Sequence, residues 1–195
     1  MVRGFYTCGS GLITSSRKLD IAGENISNTR TTGYKRDKAV STSFEEQMAI
    51  KLDGHSVQQI GEISSGKGIS GTDIIFEQGT IEQTNNPFDL AIQGDGFFTV
   101  SDNYGTYYTR NGQFQLDGQG YIVNSNGARL MGANGAINTG GEMFTVSPQG
   151  EITTGGRVID RLNIYNPSDK ATMVKHLNGL FAQTGVSAQA PFTGK

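Results

Sequence analysis

Turn signals recur along most of this chain at nearly regular intervals, and they limit it to a fold built from short strands. From about residue 57 onward, dipeptides of the Asp-Gly, Asn-Gly, Gln-Gly and Gly-Gly kind follow one another about every ten residues, with brief alternating or aromatic runs between them. The chain holds 28 glycines and no tryptophan in 195 residues, against an average glycine share of about 7%. This pattern predicts a mainly β fold with a central antiparallel domain of short strands.

Particular residues predict where some of these turns lie. In "TRNGQFQLDGQGYIV", Asn111-Gly112 and Asp117-Gly118 are predicted to be hairpin turns with positive φ. The run "FDLAIQGDGFFTV" is predicted to form a strand, a tight turn at Gly94-Asp95-Gly96 and a second strand, with Asp95 as a turn former rather than a ligand. Its apolar side chains are expected to point largely into the core: Phe88, Leu90, Ile92, Phe97 and Val100.

The N-terminal part of the chain carries a helical pattern instead. A row of large apolar residues and a row of small residues each recur every seven positions, with an offset of three between the rows. These rows are Phe5, Leu12, Leu19 and Ile26, and Cys8, Ser15 and Ala22. Cys8 is interpreted as a small buried residue rather than a reactive thiol. An amphipathic helix of this length cannot bury its own stripe, so these seven residues are the predicted interface with a second helix or with another chain.

Three further segments give local predictions. The helix is expected to end near Asn25 and Asn28, whose amides compete for backbone hydrogen bonds, with Gly33 in a left-handed turn. Residues 35–55 are predicted to be extended, with a possible short helix because three apolar residues lie four apart: Phe44, Met48 and Leu52. A short helix is also predicted near the C-terminus, with Ser168 as its cap and an apolar stripe of Met173, Val174 and Leu177.

Charge and hydropathy exclude several partners. The net charge is −2, so no basic field exists to collect nucleic acid or anionic lipid. No apolar run approaches the roughly 18 residues of a membrane helix, and the N-terminus lacks the apolar core of a cleaved signal peptide. We therefore expect no nucleic-acid binding, no membrane insertion, and no export through a cleaved signal.

Catalytic, cofactor and metal sites have no support in the sequence. "GDGFF" lacks the Lys-Ser/Thr end of a phosphate loop, and no third glycine completes a dinucleotide motif. "LDGQGYIVNSNG" lacks the clustered carboxylates of a calcium site. His55 and His176 lie far apart, and Cys8 has no histidine in its own segment. The expectation is a protein without catalytic residues, cofactor or metal.

Two segments together resemble a known family. "SSRKLDIAGENISNTRTTGYKRD", residues 15–37, is similar to the N-terminal signature of flagellar rod and hook axial proteins, and "DLAIQGDGFFTV" with "YTRNGQFQLDGQGYIVNSNGARLMG" is similar to the central signature of the FlgF and FlgG type of basal-body rod protein. The family-signature residues are Asn25, Asn28, Thr32, Gly33, Gly94, Asp95 and Gly96, with further matches at Leu19, Asp20, Ile26, Thr31, Tyr34 and Lys35. Gly23, Glu24 and Arg30 depart from the pattern, so the helix end is expected to differ locally.

The resemblance implies a structural protein of the bacterial flagellum rather than an enzyme. Such proteins are expected to leave the cell through the flagellar type III export apparatus without a cleaved signal. They polymerise helically with copies of themselves and with other rod and hook proteins, and their terminal helices line the export channel. The implied location is the periplasmic span of the basal body, where the rod transmits torque from motor to hook.

The resemblance also divides the chain. Residues 1–35 are expected to be the axial helix with its signature turn, 36–72 an extended connector, 73–190 a β-rich rod domain and 191–195 a truncated C-terminal segment, with the C-terminal partner helix absent. Two alternatives stay open. One is a secreted β-rich binding or adhesion domain, which would not need the first 35 residues, and the other is a hook-type axial protein. A peptidoglycan hydrolase is a distant third.

Overall fold

A computed structural model describes residues 2–43, 46–53, 56–64, 67–167, 172–176 and 179–183. By its internal contacts the chain divides into two compact units. The helical unit comprises Met1–Arg30 and Lys35–Phe76, and the β unit comprises Thr31–Tyr34 and Glu77–Lys195. Within the described residues the elements are α1 (Val2–Ser27), β1 (Asp37–Ser43), β2 (Glu46–Asp53), β3 (Ser56–Ser64), β4 (Lys67–Ile74), β5 (Phe97–Ser101), β6 (Thr106–Thr109), β7 (Phe114–Leu116), β8 (Ile122–Asn124), β9 (Arg129–Gly132), β10 (Gly135–Ala136), β11 (Phe144–Val146), β12 (Glu151–Thr154), β13 (Arg157–Arg161), β14 (Ile164–Tyr165), β15 (Met173–Lys175) and β16 (Leu180–Gln183).

The helical unit consists of α1 and two nested antiparallel strand pairs. β1 pairs with β4, and β2 pairs with β3, so the segment predicted as an extended connector is extended and pairs with itself. The possible helix through Phe44, Met48 and Leu52 is wrong for Met48 and Leu52, which lie in β2, and Phe44 lies outside the described residues. A spacing of four is even, so it fits one face of a strand as well as one face of a helix.

The β unit contains a nine-stranded antiparallel sheet, and β5 lies near its centre. The sheet runs in the order β15-β16-β6-β5-β9-β8-β7, while β10 pairs with β9 and β14 pairs with β5. Its main core lies on one face, and the fully or nearly fully buried members are Phe98, Val100, Phe114, Ile122, Ala128, Leu130, Ile137, Phe144, Ile152, Leu162 and Leu180. The prediction of a mainly β fold with an N-terminal helix is confirmed.

The opposite face of β5 is also buried. Phe97 is only 1% exposed, yet it points away from Phe98 and packs edge-on against Phe181, with ring centroids 5.5 Å apart. On the same face Tyr108 stacks on Tyr165 at 4.2 Å. Phe97 is therefore buried, as predicted, but in a second aromatic cluster rather than in the main core.

Residues 88–93 do not form the predicted strand. The described chain there makes an isolated bridge between Asp89 and Gln113 and a hydrogen bond from the Leu90 amide to the Gly112 carbonyl, 2.9 Å long. The Arg110 guanidinium takes the place of a partner strand, because it donates to the carbonyls of Ile92 and Gly94. Phe88, Leu90 and Ile92 are partly buried and pack against the main core.

The two predicted hairpin turns have different outcomes. β7 and β8 do pair around Asp117, whose carboxylate accepts from the amides of Gln119 and Tyr121, but the positive φ falls on Gly120 and not on Gly118. Asn111-Gly112 makes no hairpin, since the flanking strands β6 and β7 are not neighbours. Gly112 has no positive φ; it is needed because the backbone of Leu90 lies against it.

A three-stranded sheet, β11-β12-β13, completes the described β unit. The short C-terminal helix is wrong where it can be compared: Met173 and Val174 lie in β15, which pairs with β16, while Ser168 and Leu177 lie outside the described residues. Met173 is buried and Val174 exposed. This alternation shows that the two neighbouring apolar residues belong to opposite faces of a strand.

Candidate assembly surface

α1 presents two different faces. One face packs on β1 and β4; Thr14 is buried, with its hydroxyl donating to the Ser10 carbonyl at 2.7 Å, and Ile21 lies beside Ile69 and Thr72 in a shallow groove. The other face carries the seven predicted interface residues, named the helix stripe here: Phe5, Cys8, Leu12, Ser15, Leu19, Ala22 and Ile26. All seven are exposed.

The exposure of the helix stripe is unusual for large apolar side chains. Its large row is between 72% and 81% exposed, whereas such residues are normally buried against another element. The interpretation of Cys8 as a buried residue is wrong, because Cys8 is exposed on this same face. The reason is that its heptad position places it among the outward-facing side chains.

The end of α1 is fixed by amide side chains, as predicted. Asn25 pairs with the backbone of Asp37: its amide donates to the Asp37 carbonyl at 2.8 Å, and the Asp37 amide donates back to its side-chain oxygen at 3.0 Å. Asn28 donates to the Glu24 carbonyl at 2.9 Å. One side chain thus replaces a peptide unit and joins the helix to the start of β1, a contact the sequence pattern did not reveal.

The signature turn after the helix docks within the β unit. Gly33 has the predicted left-handed conformation, with φ 72°, and a Cβ on it would lie 2.5 Å from the Asn111 amide nitrogen. The Tyr34 ring lies 4.0 Å from the Lys175 ammonium. Gly33 from the N-terminal signature therefore lies directly against Asn111 from the central signature.

The central signature is organised around Arg110, which sequence reasoning did not single out. Its guanidinium donates to the Gly94 carbonyl at 2.7 Å and lies 5.2 Å from the centre of the Phe97 ring. Burial lowers the pKa of Arg110, and the charge of Asp95 partly offsets that effect. Asp95 is exposed in its glycine-flanked turn, so it is an electrostatic partner as well as a turn former. Gly94 and Gly96 both have positive φ, 96° and 125°.

Two further observations concern other kinds of site. Within the described residues, no three His, Cys, Asp or Glu side chains group closely enough to hold a metal ion. Over the same part of the chain, no helix has both the length and the apolar character needed to cross a membrane.

Two family models match the chain. Residues 5–35 match the model for the flagella basal body rod protein, and residues 91–154 match the model for the flagellar hook protein FlgE/F/G D1 domain. The first match contains the helix stripe and signature turn, and the second contains the Asp95–Arg110 arrangement.

Individual relatives agree with these matches. The flagellar basal-body rod protein FlgF of Caulobacter vibrioides is 31% identical in an alignment of 203 positions, gaps included, that covers 99% of this chain and 78% of that protein. The rod protein FlgG of Bacillus subtilis is 33% identical over a match that covers 78% of this chain and 61% of FlgG. The flagellar hook protein FlgE of Helicobacter pylori is 36% identical over 68% of this chain but only 19% of its own length. The chain therefore belongs to the family of flagellar basal-body rod proteins of the FlgF and FlgG type.

Proposed function

We propose that this chain is a structural subunit of the flagellar basal-body rod, and that it assembles through the helix stripe. The observation that carries the proposal is the exposed apolar face of α1, whose opposite face already packs on β1 and β4. A helix with one face occupied and a heptad-spaced apolar row on the other is suited to packing against further helices.

The free energy available on the helix stripe favours assembly among several neighbours. Burying one large apolar side chain stabilises by about 1.5–3 kcal/mol, so Phe5, Leu12, Leu19 and Ile26 together offer about 6–12 kcal/mol. Association costs about 4–15 kcal/mol in lost freedom. One helix pair is therefore close to balance, and stable packing needs contacts with more than one neighbouring subunit.

The small row sets the geometry of that packing. Cys8, Ser15 and Ala22 follow one another at heptad spacing, and small side chains let a neighbouring helix approach closely beside the large row. We propose that these residues face helices of adjacent copies or of other rod and hook proteins, with the helices lining a central channel.

The nested strand pairs of the helical unit support the same role. A two-stranded ribbon is marginally stable in water by itself, and the outer edges of β1 to β4 are not paired within the described sheets. Neighbouring subunits would cover these edges in an assembled rod. Assembly then stabilises the ribbon as well as the helix.

The remaining features of the proposal follow from rod membership. We propose a non-enzymatic protein that passes unfolded through the flagellar type III export apparatus, resides in the periplasmic span of the basal body, and transmits torque between motor and hook. The domain division into an axial helix, a connector and a β-rich body describes how it would fill that place. The names of its FlgF and FlgG relatives support a place in the basal-body rod.

The hook-type alternative has one observation in its favour. A hook protein is 36% identical to this chain, but that match leaves most of the hook protein uncovered, whereas the FlgF match spans most of both chains. An adhesion domain would not need residues 1–35. Deleting those residues and testing incorporation into basal bodies separates an adhesion domain from an axial protein.

A matched pair of substitutions tests the helix stripe. Leu12→Asp puts a charge on the stripe, and Ile13→Asp puts the same charge on an adjacent residue that is 61% exposed but off the stripe. We expect Leu12→Asp to abolish motility and rod incorporation, because a charge buried between helices is strongly unfavourable, while Ile13→Asp keeps both. Circular dichroism of the two purified variants is the check that both fold. Equal incorporation of the two variants would contradict the proposed interface.

A further inference from the structure

Four asparagines in this chain are followed directly by glycine: Asn111, Asn126, Asn134 and Asn178. An Asn-Gly pair loses its side-chain amide most readily, because glycine has no Cβ and its backbone nitrogen can approach the preceding side chain. The first three pairs lie in the described part of the β unit, and Asn178 lies outside the described residues. The three described pairs have different surroundings, so the fold determines which of them reacts.

The loss of the amide requires only water. The glycine nitrogen attacks the side-chain carbonyl carbon of asparagine, a C–N bond forms, and the side-chain nitrogen leaves as ammonia with the proton given up by the glycine nitrogen. Water then opens the resulting succinimide ring at one of its two carbonyls. Opening at the former side-chain carbonyl gives aspartate. Opening at the main-chain carbonyl gives isoaspartate, in which the main chain runs through the former side chain and is one carbon longer.

The Asn111-Gly112 pair is held on both sides. The side-chain oxygen of Asn111 accepts a hydrogen bond from the Gln113 amide at 3.0 Å. Gly112 is buried and lies against the Leu90 backbone, so water that would take up its amide proton is largely excluded. Reaction at Asn111 therefore requires the 90–113 contact to open.

The Asn134-Gly135 pair is exposed on its asparagine side, but Asp160 holds the side chain. The side-chain amide of Asn134 donates to one oxygen of the Asp160 carboxylate at 3.0 Å, and the backbone amide of Asn134 donates to the other oxygen at 3.3 Å. A hydrogen bond to an ionised acceptor is stronger than one between neutral groups. Asn134 must break this bond before its carbonyl carbon can turn toward the Gly135 nitrogen.

Asn126 has no such restraint on its side chain. It lies in the turn between β8 and β9, where Ser125, Asn126 and Gly127 are all exposed. Within the described residues its one hydrogen bond runs from its own backbone amide to the side-chain oxygen of Asn124, at 3.0 Å. The Gly127 amide donates to the Asn124 carbonyl at 3.0 Å, so this turn bond must open before the nitrogen reacts. Opening an exposed turn requires little free energy, because no buried side chain is uncovered.

We propose that Asn126 is a site of spontaneous deamidation in the folded chain, and that isoaspartate at this position loosens the turn between β8 and β9. Asn124 connects this turn to the core: it is buried, and its side-chain oxygen accepts from the amide of Asn126 and, at 2.9 Å, from the amide of Ala128. An extra main-chain carbon between Asn126 and Gly127 lengthens the loop that these bonds close. The bond from the buried Ala128 amide is then lost.

Peptide mapping by mass spectrometry measures the conversion at each pair. The purified chain is kept folded in a mildly alkaline buffer, and fragmentation locates the mass increase that accompanies the change from amide to acid. We expect Asn126 to convert about tenfold faster than Asn111 or Asn134, since breaking one restraining hydrogen bond slows a reaction by about that factor. The same chain in concentrated urea is the control, because three unfolded Asn-Gly pairs should convert at similar rates.

Releasing Asn134 tests whether the fold selects the site. Asp160→Ala removes the acceptor of the Asn134 side chain, so conversion of Asn134 should become about tenfold faster while that of Asn126 stays the same. Equal rates at the three pairs in the folded chain, or an Asn126 that converts no faster than Asn134, would overturn the proposal. An unchanged Asn134 rate in Asp160→Ala would contradict the restraint on which the selection depends.

Hydrogen exchange at the Ala128 amide tests the effect on the turn. In the fraction that contains isoaspartate at position 126, exchange at this amide should be at least about tenfold faster than in unmodified chain. Asn126→Asp carries the new charge without the longer main chain and should keep the slow exchange. Asn126→Gln, kept under the same conditions, should stay unmodified at this position, because glutamine would have to close a larger ring. Slow exchange in the isoaspartate fraction would show that the turn is not loosened.

Discussion

Gly112→Ala is expected to destabilise the β unit although Gly112 has an ordinary φ. A Cβ at this position would overlap the carbonyl oxygen of Leu90, and it would lie 2.7 Å from the Leu90 carbonyl carbon and 3.3 Å from the Phe98 ring. The Leu90 segment must move away, because most of the nearby atoms are backbone rather than the end of a flexible side chain. That movement breaks the 2.9 Å hydrogen bond from the Leu90 amide to the Gly112 carbonyl.

The expected loss follows from these contacts. Overpacking costs about 1–3 kcal/mol, and the lost hydrogen bond costs about 0.5–1.5 kcal/mol. Alanine also lowers the entropy of the unfolded chain, which returns about 0.4–1 kcal/mol. The net decrease in the free energy of unfolding should therefore be about 0.5–4 kcal/mol, and the partly buried Leu90 and Ile92 should become more exposed.

Urea unfolding followed by tyrosine fluorescence measures this decrease, since all tyrosines except Tyr6 lie in the β unit. Gly118→Ala is the matched control: a Cβ there meets nothing within 4 Å, and Gly118 has no positive φ. The control should be neutral or slightly stabilising. A loss below about 0.5 kcal/mol for Gly112→Ala, or a stability no lower than that of Gly118→Ala, would refute the close contact between Gly112 and Leu90.

Three other changes probe separate contacts. Phe97→Ala should lower the free energy of unfolding by about 3–5 kcal/mol, and a loss below about 1 kcal/mol in urea would place its ring outside a packed cluster. Asn25→Ala should speed hydrogen exchange at the Asp37 amide, since both bonds to that backbone unit disappear; an unchanged exchange rate would contradict the pairing. Burial, and to a lesser extent the neighbouring Tyr165, raises the pKa of Tyr108. The contribution of Tyr108 to the free energy of unfolding is therefore complete below about pH 10, and it is lost as the pH rises above that value. The free energy of unfolding of Tyr108→Phe should decrease less steeply between pH 9 and 11 than that of the unsubstituted chain. Identical pH profiles for the two would contradict a raised pKa at Tyr108.

Only some local backbone conformations could be predicted from the sequence. α1 and the turn around Asp117 follow from side chains that act on neighbouring residues, and the left-handed conformation of Gly33 follows from the lack of a Cβ. The helix stripe could likewise be selected because heptad spacing is a local pattern. The pattern also placed those residues on one face, and the structure leaves that face exposed.

Contacts between distant segments could not be predicted in the same way. Gly112 looked like a turn residue, and only the folded chain shows that the Leu90 backbone lies against it. Phe97 and Phe98 are equally apolar, so the sequence could not tell which face of β5 each would occupy or that both faces would be covered. The Arg110 guanidinium donates hydrogen bonds to the backbone carbonyls of Ile92 and Gly94. Alternating apolar and polar residues predict hydrogen bonds between strands, but they do not predict a bond from a side chain to a distant backbone segment.

The pairing of β16 with β6 bears on the order of folding. Thr109 donates to the carbonyl of Gly179, a residue 70 positions away in sequence, and Phe181 covers Phe97 from the same distant segment. Long-range pairing is slow because loop closure precedes any stabilising contact, whereas the nested ribbon can zip from neighbouring residues. A chain that emerges N-terminus first would therefore complete its ribbon early and its large sheet late. Two well-separated refolding phases, with only the slower one reporting on tyrosine burial, would be the kinetic signature of this delay.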